Sequence, residues 1–311
     1  MKLLLLSPRG FCAGVEMAVQ ALERALELFP PPVYVFHQIV HNRHVVSAFE
    51  SRGVVFVESV EEVPFGATLL FSAHGVAPLV REQSARRRLT VIDATCPLVL
   101  KVHNEAKRFA AAGAGVILVG HRGHDEVIGV EGEAPGRITV VESVEEVDRL
   151  DEPPAGFVTQ TTLSVTETRE IVGRLRERFP SAQVPPKDDI CYATENRQDA
   201  LRRAAKGAGL AIVIGSANSS NTTRLLETAT GCGLAAHRID SATELDFTWF
   251  ADVATCILTA GASVPEPVVQ TVIAAIAAHV DVEIEERQFI VETQHFALPP
   301  ALQSLSRSQG R

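Results

Sequence analysis

The 311-residue chain has only five cysteines, and no two of them form a C-x-x-C pair. That is too few and too scattered for a disulfide-stapled scaffold. A dinucleotide-type glycine fingerprint is also missing, which removes the usual sequence sign of a nicotinamide enzyme. There is no basic excess: 29 Lys and Arg against 38 Asp and Glu leave a formal charge of −9. A general nucleic-acid coat is thereby excluded, since it needs basic side chains to displace counterions. A small anionic substrate is not excluded, because one pocket can be positive on an acidic protein. Long apolar runs are absent as well. Leu3 to Leu6 stop at Ser7-Pro8-Arg9-Gly10, short of the roughly 7–15 residues of a signal-peptide core. Val268 to Val280 is too short to cross a bilayer and contains His279. The N-terminus therefore reads as a buried strand, and the chain as a cytoplasmic protein with neither a membrane nor a nucleic-acid partner. What remains is an ordinary composition, 46% hydrophobic and 22% charged with 21 Gly and 17 Pro, which excludes collagen-like, disordered and coiled-coil classes. At about 150 residues per domain, length alone suggests about two domains.

Internal repetition revises that count. Val55-Phe56-Val57-Glu58-Ser59-Val60-Glu61-Glu62-Val63 recurs as Val140-Val141-Glu142-Ser143-Val144-Glu145-Glu146-Val147, and more loosely as Ile239-Asp240-Ser241-Ala242-Thr243-Glu244-Leu245. Each copy is followed by a short apolar strand opening into a polar loop: Ser72-Ala73-His74-Gly75, Thr159-Gln160-Thr161-Thr162 and Thr259-Ala260-Gly261-Ala262-Ser263. Each is preceded by another apolar strand, at Val33 to Phe36, Val116 to Val119 and Leu210 to Ile214, leading to His41, His124 and Ser219. Before each of those strands lies a helix with a cysteine at its entrance: Cys12, Cys96 and Cys191. The cysteines precede His41, His124 and Ser219 by 29, 28 and 28 residues. The reading is three repeat units at about 1–90, 91–186 and 187–280, with 1–13, 97–190 and 191–280 sharing a three-unit core and 281–311 as a C-terminal segment. After Cys12, Val15, Val19, Leu22, Leu26 and Phe29 fall on one face, as an amphipathic helix on a sheet requires. Pro97 suits a first helical turn. Short apolar strands alternating with helices indicate an α/β fold of parallel sheets covered by helices, in which ligands gather beyond the carboxyl ends of strands.

If the three units pack about a pseudo-threefold axis, equivalent loops meet there and each contributes one thiol. Three thiolates leave a fourth coordination position open. That suits a 4Fe–4S cluster with one iron free for substrate, or a three-cysteine zinc. Cys232 and Cys256 have no counterpart in the repeat and read as structural. His41, His74 and His124 each end a strand at a repeat-equivalent loop and are candidate ligands; the other seven histidines do not recur in this way. In the third unit the equivalent loop, Gly215-Ser216-Ala217-Asn218-Ser219-Ser220-Asn221, offers hydroxyls, amides and free N–H groups at a helix start, an anion cradle without fixed charge. Imidazoles and cradle together describe a pocket for phosphate or diphosphate. Glu126 is placed to donate or relay a proton. Thr161 and Thr162 either position protons or, with Ser164 and Glu167, cap a helix.

At these residues the sequence resembles the family of 4-hydroxy-3-methylbut-2-enyl diphosphate reductases of the non-mevalonate isoprenoid pathway. The segments that carry the resemblance are Pro8 to Val15, Val40 to Arg43, Ser72 to Gly75, Asp93 to Pro97, Thr159 to Ser164, Asp188 to Thr194, Ser219 to Asn221 and Thr259 to Ser263, within a match from about Lys2 to His279. The resemblance implies a trefoil of three similar α/β units around a central 4Fe–4S cluster held by Cys12, Cys96 and Cys191, with one open iron. It implies a diphosphate site at His41, His74, His124, Thr161, Ser219, Ser220, Asn221 and Ser263, with Glu126 as proton source. The implied reaction is a two-electron reductive dehydroxylation of the allylic alcohol diphosphate to isopentenyl and dimethylallyl diphosphates, fed by an external donor such as ferredoxin or flavodoxin. Two features depart from the family. Asp125 stands where the pattern His-Pro-Glu has proline, adding a charge near an anionic substrate and loosening the backbone before Glu126. The segment from about Val282, including Glu283 to Arg287, maps onto no part of the core, and the end, Ser304 to Arg311, reads as disordered. The alternatives weighed against the reductase are a three-cysteine zinc hydrolase of phosphorylated substrates and a non-enzymatic iron–sulfur redox sensor.

Overall fold

Apolar runs of four to six residues separated by amphipathic stretches fold here as strands and helices in alternation. In the computed structural model, which describes residues 1–303, the chain begins β1 (Lys2–Ser7), α1 (Ala13–Leu28), β2 (Val33–Phe36), α2 (Arg43–Glu50), β3 (Val55–Val57), β4 (Thr68–Phe71) and α3 (Pro78–Arg86). It continues β5 (Thr90–Asp93), α4 (Pro97–Ala110), β6 (Val116–Val119), α5 (Asp125–Glu131), β7 (Ile138–Val141), α6 (Val144–Asp148), β8 (Gly156–Thr159) and α7 (Val165–Arg178). It then runs through α8 (Tyr192–Ala204), β9 (Leu210–Ile214), α9 (Ser220–Gly231), β10 (Ala235–Ile239), β11 (Thr255–Ala260), α10 (Glu266–His279) and β12 (Glu283–Gln288).

The strands form three wholly parallel sheets, ordered β10-β9-β11-β1-β12, β3-β2-β4-β5 and β7-β6-β8. Each contains the same three-strand arrangement, in which β2, β6 or β9 lies between the two strands that follow it in sequence. The chain divides into two compact units. The first holds Met1–Ala13, His41–Ser47 and Tyr192–Gln294, with the five-stranded sheet; the second holds Gly14–Val40, Ala48–Cys191 and the described chain from His295, with the other two sheets.

In the first unit Leu3, Leu5, Ile212, Ile214 and Leu258 pack on one side of the sheet, while Leu4, Leu6, Ala211, Val213 and Ile257 pack on the other. Successive residues of a strand point to opposite faces, so this division means that both faces are covered, and it explains why β1 reads as unbroken leucine. The three-stranded sheet of the second unit repeats the division, with Val116, Leu118 and Val158 against Ile117, Val119 and Phe157.

The recurring Ser-x-x-Glu phrase has a local cause. Ser59 and Ser143 cap short helical turns with their hydroxyls, accepting from the N–H groups of Glu61 and Glu146, and Ser241 occupies the same N-cap position. In each copy the third-position glutamate reaches back. Glu62 accepts from the Ser59 N–H at 2.8 Å, Glu146 from Glu142 at 3.0 Å and Glu244 from Asp240 at 3.0 Å. The repeated words therefore encode a capped turn between strands.

Two expectations change in detail. Of the expected face of α1, Val15 and Leu22 are buried while Val19, Leu26 and Phe29 are only half-buried, and Ala18, Ala21 and Ala25 are fully buried beside them. The alanines thus widen the buried face beyond the expected line of large side chains. The segment after Val282 is not a featureless tail. Residues Glu283–Gln288 form β12, parallel to β1 along Lys2–Ser7, with Lys2 paired to Glu285 at 2.7 Å. Its charged sequence suits an edge strand, where charge discourages pairing with another chain. The disorder expected for Ser304 to Arg311 lies outside the described residues. Among the described residues, no helix is long and apolar enough to cross a membrane.

Candidate functional site

In the first unit, the loop after β1 carries Cys12, whose N–H donates to the Ala262 carbonyl at 3.3 Å. The next N–H, of Ala13, donates to the Tyr192 hydroxyl at 3.2 Å. Ser263 donates its hydroxyl to the His41 carbonyl at 3.0 Å, and the Asn218 amide lies 3.5 Å from His41 Nδ1. Ser219 caps α9 by accepting the Thr222 N–H, leaving Ser220 as the first helical residue. Asn221 is buried, donating to Thr194 Oγ1 at 3.1 Å and accepting the Ala262 N–H at 2.9 Å. Its amide thus braces α8 against the loop after β11, a role the local sequence does not reveal. The start of α9 sits close against two strand ends. A Cβ on Gly215 or Gly261 would lie 2.4 or 2.1 Å from Thr222 Oγ1, so only glycine fits there.

In the second unit, Cys96 is the N-cap of α4, with Pro97 following as expected, and its N–H donates to the Ala73 carbonyl at 3.0 Å. Beside Ala73, His74 sets its ring edge-on to His124, with centroids 5.9 Å apart. Gly75 has a φ of +78° and packs on buried His103, which is fixed by Glu133 at 2.9 Å. His124 caps α5, its Nδ1 accepting the Glu126 N–H at 3.2 Å. A ring nitrogen that accepts cannot carry the proton, so the neutral ring holds its hydrogen on Nε2.

Glu126 is 2% exposed. Its carboxylate accepts the Thr161 N–H at 2.7 Å and the Thr161 hydroxyl at 2.9 Å. Burial nevertheless dominates and, aided by the nearby charge of Asp189, pushes the carboxyl up to about 7 against the opposing Thr161 bonds. A carboxylic acid balanced near neutrality can both hold and release a proton at working pH. The Thr161 carbonyl accepts the Cys191 N–H at 2.9 Å, so one residue joins the Glu126 carboxyl to the third cysteine. Ser164 caps α7 by accepting the Glu167 N–H, and Thr162 accepts from the Gln160 amide at 3.1 Å, so of the two threonines Thr161 is the one on the carboxylate.

Asp189 was not singled out by sequence reasoning. It is buried, accepting the Thr159 N–H at 2.9 Å and Lys101 Nζ at 3.0 Å, and burial raises its carboxyl to about 6. Its partners lie 30 and 88 residues away in sequence, beyond any local pattern; the Asp188-Asp189 pair just before Cys191 is the one visible signal. Asp125 also differs from expectation. Helix α5 starts at Asp125 without proline, and its carboxylate pairs with His37 Nδ1 at 2.9 Å while lying 4.0 Å from His74. The added charge is thus countered within the same unit, and the backbone before Glu126 is held by the His124 cap. His37 itself is raised above its usual value by the bond to Asp125.

The cysteines separate by environment. Cys12, Cys96 and Cys191 form no disulfide among the described residues, are partly accessible and stand each directly before a helix, where the positive end of the macrodipole favours a negative ligand. Cys256 is fully buried with its thiol pushed up to about 12 by burial, which does not fit a thiolate ligand. Cys232 is exposed at the end of α9.

Parallel α/β sheets with three helix-entrance thiols, imidazoles at strand ends and a buried carboxyl near neutrality define a class: an α/β enzyme equipped for redox and proton chemistry. The chain belongs to the family described as LytB protein, whose model matches residues 3–277. It is 53% identical over 307 residues to the 4-hydroxy-3-methylbut-2-enyl diphosphate reductase of Mycolicibacterium paratuberculosis, covering 97% of this chain and 92% of that one. Among solved structures, it superposes with a TM-score of 0.96 on the E-1-hydroxy-2-methyl-but-2-enyl-4-diphosphate reductase from Plasmodium falciparum, at 37% identity over 100% of this chain and 99% of that one. A second structure, of (E)-4-hydroxy-3-methyl-but-2-enyl diphosphate reductase, the terminal enzyme of the non-mevalonate pathway, matches with a TM-score of 0.63 and 32% identity over 89% of this chain and 100% of that one.

Proposed function

We propose that the protein is an oxidoreductase of isoprenoid precursor biosynthesis that removes the hydroxyl of 4-hydroxy-3-methylbut-2-enyl diphosphate, with two electrons and two protons converting the C–OH group to C–H and water. The carrying observation is Glu126: a buried carboxyl raised to about 7 and held by Thr161, whose carbonyl binds the Cys191 N–H. The names of the relatives point to a reductase and do not favour a zinc hydrolase or a sensor.

Cys12, Cys96 and Cys191 are assigned as the three ligands of one 4Fe–4S cluster, a role supported by their accessibility and helix-entrance positions. Such a cluster supplies single electrons and an open Lewis-acidic iron when bound. Glu126 delivers a proton to the departing oxygen, so that water leaves in place of hydroxide. His41, His74, His124, Ser219, Ser220, Asn221 and Ser263 hold the diphosphate, and Thr161 sets the pose of the Glu126 carboxyl. Anchoring the diphosphate spends remote binding energy on orienting the reacting end. Protonation at either end of the resulting allyl unit yields the isopentenyl or the dimethylallyl product. The electron donor is a small low-potential protein such as ferredoxin or flavodoxin, and the compartment is the cytoplasm, where thiols stay reduced.

The test is anaerobic purification, analysis for iron, sulfide and zinc, and assay of the hydroxy-allyl diphosphate with a chemical reductant. Iron and sulfide with turnover are expected. Stoichiometric zinc without iron, or a cluster without turnover, refutes the assignment.

A further inference from the structure

The C-terminal strand and the residues after it fall outside the three-strand pattern shared by the sheets, yet they meet the deepest charge in the first unit. The Arg197 side chain on α8 has no exposure to solvent. One guanidinium nitrogen donates to the Ala193 carbonyl and to Glu292 Oε1, both at 2.9 Å; another donates to the Gly10 carbonyl at 2.7 Å. Glu292, 15% exposed, also accepts the Asn196 amide at 3.1 Å. Upstream of Glu292 the chain is fixed by β12 and by the Phe289 N–H donating to the Ser7 carbonyl at 3.0 Å.

A guanidinium cannot shed its proton, so a buried one must keep an anion beside it. Among the described residues, the carboxylate on Arg197 comes from the C-terminal segment, and the group on its other side is a backbone carbonyl two residues before Cys12. We infer that Glu292 is a positioning residue for Cys12. By neutralising Arg197 it lets that side chain clamp the Gly10 carbonyl, and so fixes the loop that presents the Cys12 thiol. Residues 283–292 are then part of the thiol's support. This inference rests on the assignment of Cys12 as a cluster ligand for its consequence, although not for the clamp itself.

The test uses Glu292→Ala and Glu292→Asp in the full chain. In cluster-free, reduced protein, alkylation of each cysteine is timed by mass spectrometry, with exposed Cys232 as reference and buried Cys256 of the same unit as the gauge of general loosening. In Glu292→Ala the Cys12 rate should change by about tenfold or more, the scale of losing a charge-assisted hydrogen bond, with Cys256 still protected; Glu292→Asp should restore much of the wild-type rate. An unchanged Cys12 rate, or Cys12 and Cys256 labelling together, overturns the clamp. In cluster-loaded protein, iron release to a chelator should accelerate in Glu292→Ala, and an unchanged release rate overturns the link to the cluster. Cys12→Ser, analysed for iron alongside, separates the two ideas. If it keeps full iron, the ligand assignment fails whatever Glu292 does; if it loses iron while Glu292→Ala behaves as wild type, the inference fails alone.

Discussion

Glu126→Gln separates proton chemistry from structure in one substitution. The carboxyl moves from an ordinary 4.5 to about 7 on folding, chiefly through burial. Because the folded state binds this proton more tightly than the unfolded chain, stability falls as pH rises from about 4.5 to about 7 and stays lower above that. The shift corresponds to about 3 kcal/mol of destabilisation once the group is ionised. Glutamine mimics the protonated form: its carbonyl can accept the Thr161 N–H and its amide can meet the Thr161 hydroxyl. The variant should therefore match wild type in denaturant midpoint near pH 4.5 and exceed it by up to about 3 kcal/mol at pH 8. Turnover should fall by roughly 10²–10⁴, the range for losing a positioned acid, while iron content is kept. In wild type, turnover should decline as pH rises through about 7, and the residual rate of the variant should lack that limb. Equal stability of the two proteins at pH 8 and pH 5, or wild-type rates in the variant, would refute the assignment of a buried, neutral-poised acid.

Two further substitutions test the surroundings of that acid. Thr161→Val removes a hydroxyl bond that favours the ionised carboxylate, so the basic limb of the pH–rate profile should move up by about one unit; a limb that stays or moves down contradicts the geometry. His37 is raised by its bond to Asp125, so its stabilising contribution is full below its ordinary 6.5 and fades as pH climbs through the raised value. His37→Ala should therefore destabilise by about 1 kcal/mol at pH 6 and by less at pH 9, measured by urea unfolding, and a pH-independent loss would mean packing alone.

The parts of this molecule that were legible in the sequence are those built by short-range physics. β1, β6 and β9 announce themselves as apolar runs because both faces of their sheets are covered. The Ser-x-x-Glu phrase announces itself because a capped helix start uses two side-chain acceptors three residues apart, each taking a backbone N–H. Glu126 was visible through its place beside His124 in the repeat. What stayed hidden depends on partners far along the chain. Asn221 reads as a cradle residue, and nothing local shows that its amide also joins Thr194 and the Ala262 N–H, 27 and 41 residues away. β12 lacks apolar alternation because both of its faces are largely exposed, so its charges masked it as tail. The buried face of α1 was only partly legible, because hydrophobicity rules weight valine and leucine: Val15 and Leu22 are buried as expected, but so are Ala18, Ala21 and Ala25.

Thr161 shows how the local and long-range levels meet. Its N–H and hydroxyl both point at Glu126 and its carbonyl receives Cys191, so one residue uses all three of its polar groups to join an acid on α5 to the thiol before α8. The strand leading into it is held in turn by Asp189, which bonds the Thr159 N–H and lies two residues before that same cysteine. A loop closed at both ends by buried hydrogen bonds has few alternative arrangements, since each unmade bond would strand a polar group away from water at about 1–3 kcal/mol. The carboxyl can therefore sit at about 7 without drifting toward solvent. Its burial, which raises the pKa, and its hydrogen bonds, which would lower it, are set by the same short stretch of chain that places the cysteine.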